Sequence, residues 1–173
     1  MIRNYSSYFI LFVCLVAAQA VIFNRIWLFH VAMPLVFIYF IITMPVDMNM
    51  RWQLTLSFLL GFTVDIFSDT PGLNALCCTI TGALRNPILK LYEPREDEMV
   101  NPIPSPRTIG WITYMKYLIT MTTLYSVLFF IVLSFSFFDV GRMLSQIIAS
   151  SLLTFLIILA FSNFVVPTAV SRK

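Results

Sequence analysis

Charged residues are scarce in this chain: they make up 11% of its 173 residues, whereas a soluble domain carries about 25%. A water-soluble fold of this size needs charged helix faces, and long stretches here have none, which argues against a soluble domain. Eleven Lys and Arg residues leave a formal net charge of only +3. They stand singly between apolar runs and form no solvated basic patch, so nucleic acid is not an expected partner. Histidine occurs once, at His30, with no second histidine to share a metal, and it reads as an interfacial polar residue. The three cysteines, Cys14, Cys77 and Cys78, lie in apolar runs, and none belongs to a C-x-x-C pair. A disulfide framework is therefore not expected, and small apolar packing residues are the simpler reading. Glycine-rich phosphate loops and metal-ligand spacings are missing too, so neither cofactor nor metal is expected.

What the chain has is apolar length. Hydrophobic residues make up 60% of it, mean hydropathy is +0.89, and the excess recurs from end to end. This predicts an all-α polytopic membrane protein of about six transmembrane helices, forming a single domain over 1–173. The first run is Tyr5–Phe23. Its Arg3 start and Ala18-Gln19-Ala20 triplet resemble a cleavable signal, but more apolar runs follow, which favours a retained helix. Asn24-Arg25 leads to the second run, Trp27–Met44, where Pro34 predicts a kink. The segment from Pro45 to Arg51 precedes the third run, Trp52–Phe67, and Ser68-Asp69-Thr70-Pro71-Gly72 reverses the chain. The fourth run spans Leu73–Leu84 and extends through Arg85-Asn86, with Pro87 predicted to end the regular helix and Ile88–Tyr92 continuing at the interface. A hydrophilic loop at about 93–110 carries Glu93, Glu96, Asp97 and Glu98, then Pro102, Pro104 and Pro106. The fifth and sixth runs are Trp111–Phe135 and Met143–Val166. No soluble-type amphipathic periodicity organises these runs, which read as apolar on nearly every face.

Basic residues orient the spans. One side collects nine (Arg3, Arg51, Arg85, Lys90, Arg95, Arg107, Lys116, Arg172, Lys173), and the other has two, Arg25 and Arg142. The bias predicts that both termini and the 93–110 loop are cytoplasmic. Trp27, Trp52 and Trp111 each open a run, as interfacial anchors do.

Ionisable residues at membrane depth are the functional candidates. Asp65 lies about a turn before the end of the third run, with Asp69 four residues on. A paired-carboxylate site for a proton or cation is one reading. The favoured one is structural: Asp65 caps the turn into the fourth helix, whose amino terminus is partially positive. Gly61 shares a helix face with Asp65, and Gly61 and Gly82 permit close helix approach. Arg85 is expected to snorkel to the headgroups. No nucleophile and base are arranged for catalysis, and a catalytic residue is not expected.

The stretch from Gly61 to Ala75, GFTVDIFSDTPGLNA, resembles the signature of MreD, the bacterial rod-shape-determining membrane protein family. Gly61, Asp65, Pro71, Gly72 and Ala75 match its pattern of glycine, aspartate four residues on, a short turn, and an alanine opening the next helix. Asp69 stands where the family often has glycine. The resemblance implies a fold similar to the substrate-binding subunits of energy-coupling-factor vitamin transporters. It also implies a non-catalytic inner-membrane scaffold of the cell-wall elongation complex, associated with an MreC-like bitopic protein, MreB-type filaments and a RodA-type polymerase with its transpeptidase. No catalytic residue is implied. A vitamin-binding transporter subunit is the alternative, although the outer connections hold few polar residues for a pocket. A lipid-modifying intramembrane enzyme is a third reading; it would need Asp65 and Arg85 to meet, and about twenty residues separate them.

Overall fold

The computed structural model describes residues 2–21, 33–92, 103–106, 109–133 and 140–164. The described residues form six α-helices and no strand: α1 Ile2–Val21, α2 Ile38–Ile42, α3 Met50–Ser68, α4 Leu73–Tyr92, α5 Trp111–Leu133 and α6 Val140–Phe164. Helix α5 and residues Met143–Ser162 of α6 are long and apolar enough to cross a membrane, while Tyr8–Val21 of α1 is apolar but shorter. Helices α3 and α4 have the length, at 19 and 20 residues, but polar residues dilute their hydropathy. Those residues turn inward: Gln53, Ser57, Asp65, Asn74, Thr81 and Arg85 are buried, while Trp52, Phe58, Phe62, Ile66 and Phe67 are exposed.

Helices α3, α4, α5 and α6 pack in chain order, and α1 lies against α3. The short α2 touches α1, α4 and α5, and all five of its residues are buried. Phe40 meets Phe12 of α1 edge-on at 5.4 Å, and Phe37, just before α2, meets Tyr125 of α5 in the same way at 5.5 Å. Such pairs add about 1 kcal/mol each beyond their buried area. On α5 the buried positions are Tyr114, Tyr117, Leu118, Met121, Thr122, Tyr125, Ser126, Phe129 and Phe130. This is a regular helical stripe that hydropathy does not show, because the opposite face is apolar as well.

The second apolar run departs from the kinked span read from sequence. Among its described residues, 33–37 are not α-helical and the helix is five residues long. Pro34 biases Met33 away from the helical region, and side chains take over the backbone groups that a helix would have paired. Met33 N–H donates to Ser150 Oγ (3.0 Å) and Leu35 N–H to Thr154 Oγ1 (3.0 Å), both on α6. Gln19 of α1 works in both directions: its Nε2 donates to the Pro34 carbonyl at 3.0 Å, and its Oε1 accepts from Val36 N–H at 3.3 Å. Irregular buried backbone persists where protein groups replace the missing helical bonds.

Pro87 does not end the fourth helix but lies inside α4. Tertiary contacts hold the last turn in place of the lost hydrogen bond: Leu89 is buried, Ile88 and Tyr92 pack on the core, and the Tyr92 hydroxyl lies 2.7 Å from Thr120 Oγ1 on α5. Cys77 and Cys78 are free thiols in the core, and Cys14 is free and exposed. His30, Asn24, Arg25, Trp27, the acidic cluster at 93–98, Asp139 and the basic carboxy terminus lie outside the described residues.

Two glycines set the closeness of α3 and α4. A Cβ on Gly61 would run into the Asn74 carbonyl and stand 2.6 Å from Ala75 Cα, both backbone. On Gly82 it would meet Ser57 Oγ, with Ser57 Cβ at 2.9 Å; that neighbour is a side chain. Gly61→Ala should therefore cost about 3 kcal/mol and Gly82→Ala about 1–2 kcal/mol. Unfolding of the purified variants in detergent checks the order, and an equal cost for both would contradict it.

Candidate functional site

The reversal between α3 and α4 gathers the buried polar groups around one carboxylate. Helix α3 ends with Asp69 in the left-handed region (φ 53°, ψ 34°), its N–H donating to the Asp65 carbonyl, where Thr70 N–H also points at 3.4 Å. Glycine usually fills such a position because a Cβ there is strained, although aspartate is among the side chains that tolerate it best. Gly72 has φ +82°, and the space around its Cα is open. Backbone conformation, not packing, is what asks for glycine there.

Helix α4 then begins, with Leu76 N–H donating to the Gly72 carbonyl at 3.0 Å. Its first N–H groups have no partner within the helix. Asp65, reaching across from α3, supplies one: Oδ1 accepts from Asn74 N–H and Oδ2 from Ala75 N–H, each at 2.9 Å. Oδ1 also accepts from Thr70 Oγ1 and Asn74 Nδ2, both at 2.9 Å. Asn74 Nδ2 lies 3.1 Å from Thr70 Oγ1, and the Tyr125 hydroxyl of α5 donates to Asn74 Oδ1 at 2.7 Å. The carboxylate is only 4% exposed. It acts as an N-cap supplied from the preceding helix, strengthened by its charge at the positive end of α4.

The structure brings Gly61, Asp65 and Ala75 together: Gly61 lets the α4 backbone approach, and Ala75 presents its N–H to Asp65. Pro71 and Gly72 are exposed in the turn and shape it without contacting the carboxylate's hydrogen-bond network. Asp69 is exposed and joins Asp65 through its backbone N–H. Sequence reading missed Thr70, Asn74 and Tyr125. Thr70 and Asn74 stood inside the quoted segment, and their residue types are the ones that bond to helix starts; Tyr125 is 51 residues from Asn74, with no local signal. With four hydrogen bonds on its two oxygens, Asp65 is a pinned acceptor and is poorly placed to act as a mobile base.

Arg85 does not snorkel: it is 0% exposed. Its Nη2 donates to the Met44 carbonyl just beyond α2, and its Nη1 to Asn86 Oδ1 at 3.0 Å. The Met44 carbonyl, two residues past the end of α2, accepts the guanidinium in the interior. Asp65 and Arg85 share no partner. Twelve residues of α4 separate Arg85 from Leu73, about 18 Å of helix. Nearby, Gln53 Nε2 of α3 donates to the Gly82 carbonyl at 2.5 Å. Among the described residues, no group of three or more His, Cys, Asp or Glu side chains is placed to hold a metal. Comparison with protein-family models, curated proteins and solved structures finds no match for the chain.

Asp65→Asn keeps the shape but sets an amide N–H₂ against donors. It should destabilise the protein by about 2–3 kcal/mol, while Asp69→Gly relieves strain and is neutral or stabilising by up to about 1 kcal/mol. Thermal unfolding of both variants is the measurement; equal losses would remove the capping role from Asp65.

Proposed function

We propose that this chain is a multi-pass bacterial inner-membrane protein of the MreD type, a non-catalytic scaffold of the cell-wall elongation complex. The observation that carries the reading is the Gly61–Ala75 segment. It resembles the family signature, and its matching residues have structural tasks: close approach at Gly61, capping at Asp65, a positive-φ turn at Gly72 and a donated N–H at Ala75. A segment so engaged builds a rigid α3–α4 pair whose outer face is free to meet a partner helix. That face presents Phe58, Phe62, Ile66 and Phe67.

The distribution of polarity supports the membrane reading. Large apolar side chains stand outside on α1, α3, α4, α5 and α6, while Gln19, Gln53, Ser57, Asp65, Asn74, Arg85, Ser150 and Thr154 are inside. In water this arrangement would expose extensive apolar surface; in lipid, polar groups are expected to turn inward and pair across helices. On this reading the protein spans the bilayer about six times, in an arrangement akin to the substrate-binding subunits of energy-coupling-factor transporters. Both termini are cytoplasmic by the bias of basic residues. An MreC-like bitopic protein is the expected direct partner, linking the scaffold to MreB-type filaments and a RodA-type polymerase with its transpeptidase.

Depleting the protein from its host bacterium should round or widen the cells and disperse the sites of wall synthesis, as seen by microscopy. Normal shape accompanied by a new vitamin requirement would sink the scaffold reading in favour of a transporter subunit.

A further inference from the structure

Four of the helix pairs form a chain of direct contacts: α1 packs on α3, α3 on α4, α4 on α5 and α5 on α6. Among the described residues, α1 and α6 have no comparable packing on each other. Residues 33–36 bridge them instead, and their backbone groups alternate in direction as those of an extended chain do. Met33 and Leu35 turn their N–H groups to Ser150 and Thr154 of α6, each at 3.0 Å. The Pro34 carbonyl and Val36 N–H turn to Gln19 of α1.

The two sides of this bridge are held unequally. On the α1 side one amide side chain binds as donor and acceptor at once. The chain then runs on into α2, which is buried throughout and packs on α1, α4 and α5. On the α6 side the hold is two single hydroxyls, four residues apart. Of the described side chains of α6, Ile147, Ser150, Thr154, Ile158 and Ser162 are buried, so the two bonding hydroxyls are a large part of its inward face. Local opening draws on elements with few buried apolar contacts, and α6 is such an element, fixed chiefly by α5.

We propose that the contact between residues 33–36 and α6 is a lateral gate, with α6 as the leaf, α5 as its hinge side and the 33–36 segment as the strap that holds it shut. Opening releases the strap from α6 while Gln19 and α2 keep it on the rest of the bundle, and α3, α4 and α5 stay packed. The open form is the minor state, because opening leaves backbone N–H groups without their partners. It presents two hydroxyls and two N–H groups at the seam, the kind of polar contact by which helices associate in lipid. The gate rests on packing alone and not on the scaffold reading, so either can fail by itself.

The test is amide hydrogen exchange of the full chain in a non-ionic detergent, read by mass spectrometry. Residues 33–37 and the middle of α6 should exchange together, and faster than residues 74–82 of α4. Thr154→Val keeps the side-chain shape and deletes the acceptor of Leu35 N–H; it should speed exchange in the strap and α6 about five-fold and leave α4 unchanged. The native thiols report on the core: exposed Cys14 should react promptly with N-ethylmaleimide, and buried Cys77 and Cys78 should stay protected in both proteins. If Thr154→Val does not fold, Ser150→Ala takes its place, with Met33 as the reporter. Exchange of the strap no faster than that of α4 in the wild type overturns the proposal. So does a variant that leaves the strap unchanged, or one that speeds α4 equally and bares Cys77 and Cys78, because the seam would then open only when the whole bundle unfolds.

Discussion

The start of α4 offers backbone N–H groups that water cannot reach, and Asp65 answers them from the helix before. Much else in the α3–α4 pair depends on this contact. The carboxylate must come within 2.9 Å of the Asn74 and Ala75 amides, so α3 and α4 must approach to backbone distance, which Gly61 permits and any side chain would prevent. The turn between them must be short, and two residues with positive φ, Asp69 and Gly72, accomplish it. Tyr125 then ties the assembly to α5 through Asn74. Charge, glycine and turn geometry are thus three requirements of one interaction.

The same accounting of backbone groups explains the break before α2. Helices close their own hydrogen bonds, and a segment that cannot be helical at Pro34 must find partners elsewhere. Gln19 on α1 and Ser150 and Thr154 on α6 provide them. The Ser150, Thr154 and Ser162 hydroxyls of α6 occupy its buried face, while Leu144, Ile148, Leu152 and Leu156 are exposed. Small polar residues are therefore not dilutions of an apolar helix but the fittings by which helices hold an irregular segment between them.

Arg85 is a different case, because its partners, a backbone carbonyl and an amide oxygen, are neutral and leave its charge unmet. The Met44 carbonyl anchors it at the end of α2, which explains why the side chain points inward instead of to the bundle's end.

From the sequence alone came the helices, because apolar runs of about 20 residues can pair their backbones only within themselves. So did the sharp reversal at Pro71-Gly72 and the reading of Asp65 as a residue that meets the next helix, because both rest on contacts within ten positions. The inward stripe of α5 was illegible, since its two faces barely differ in hydropathy. The helix running on through Pro87, the unwound segment at 33–37 and the burial of Arg85 were illegible for another reason. Each is decided by partners far away in the chain, such as Thr154 for Leu35 at a separation of 119 residues and Met44 for Arg85 at 41. Local pattern determined where the chain is helical; which groups face inward, and where the helix gives way, depended on hydrogen bonds that exist only once the bundle has formed.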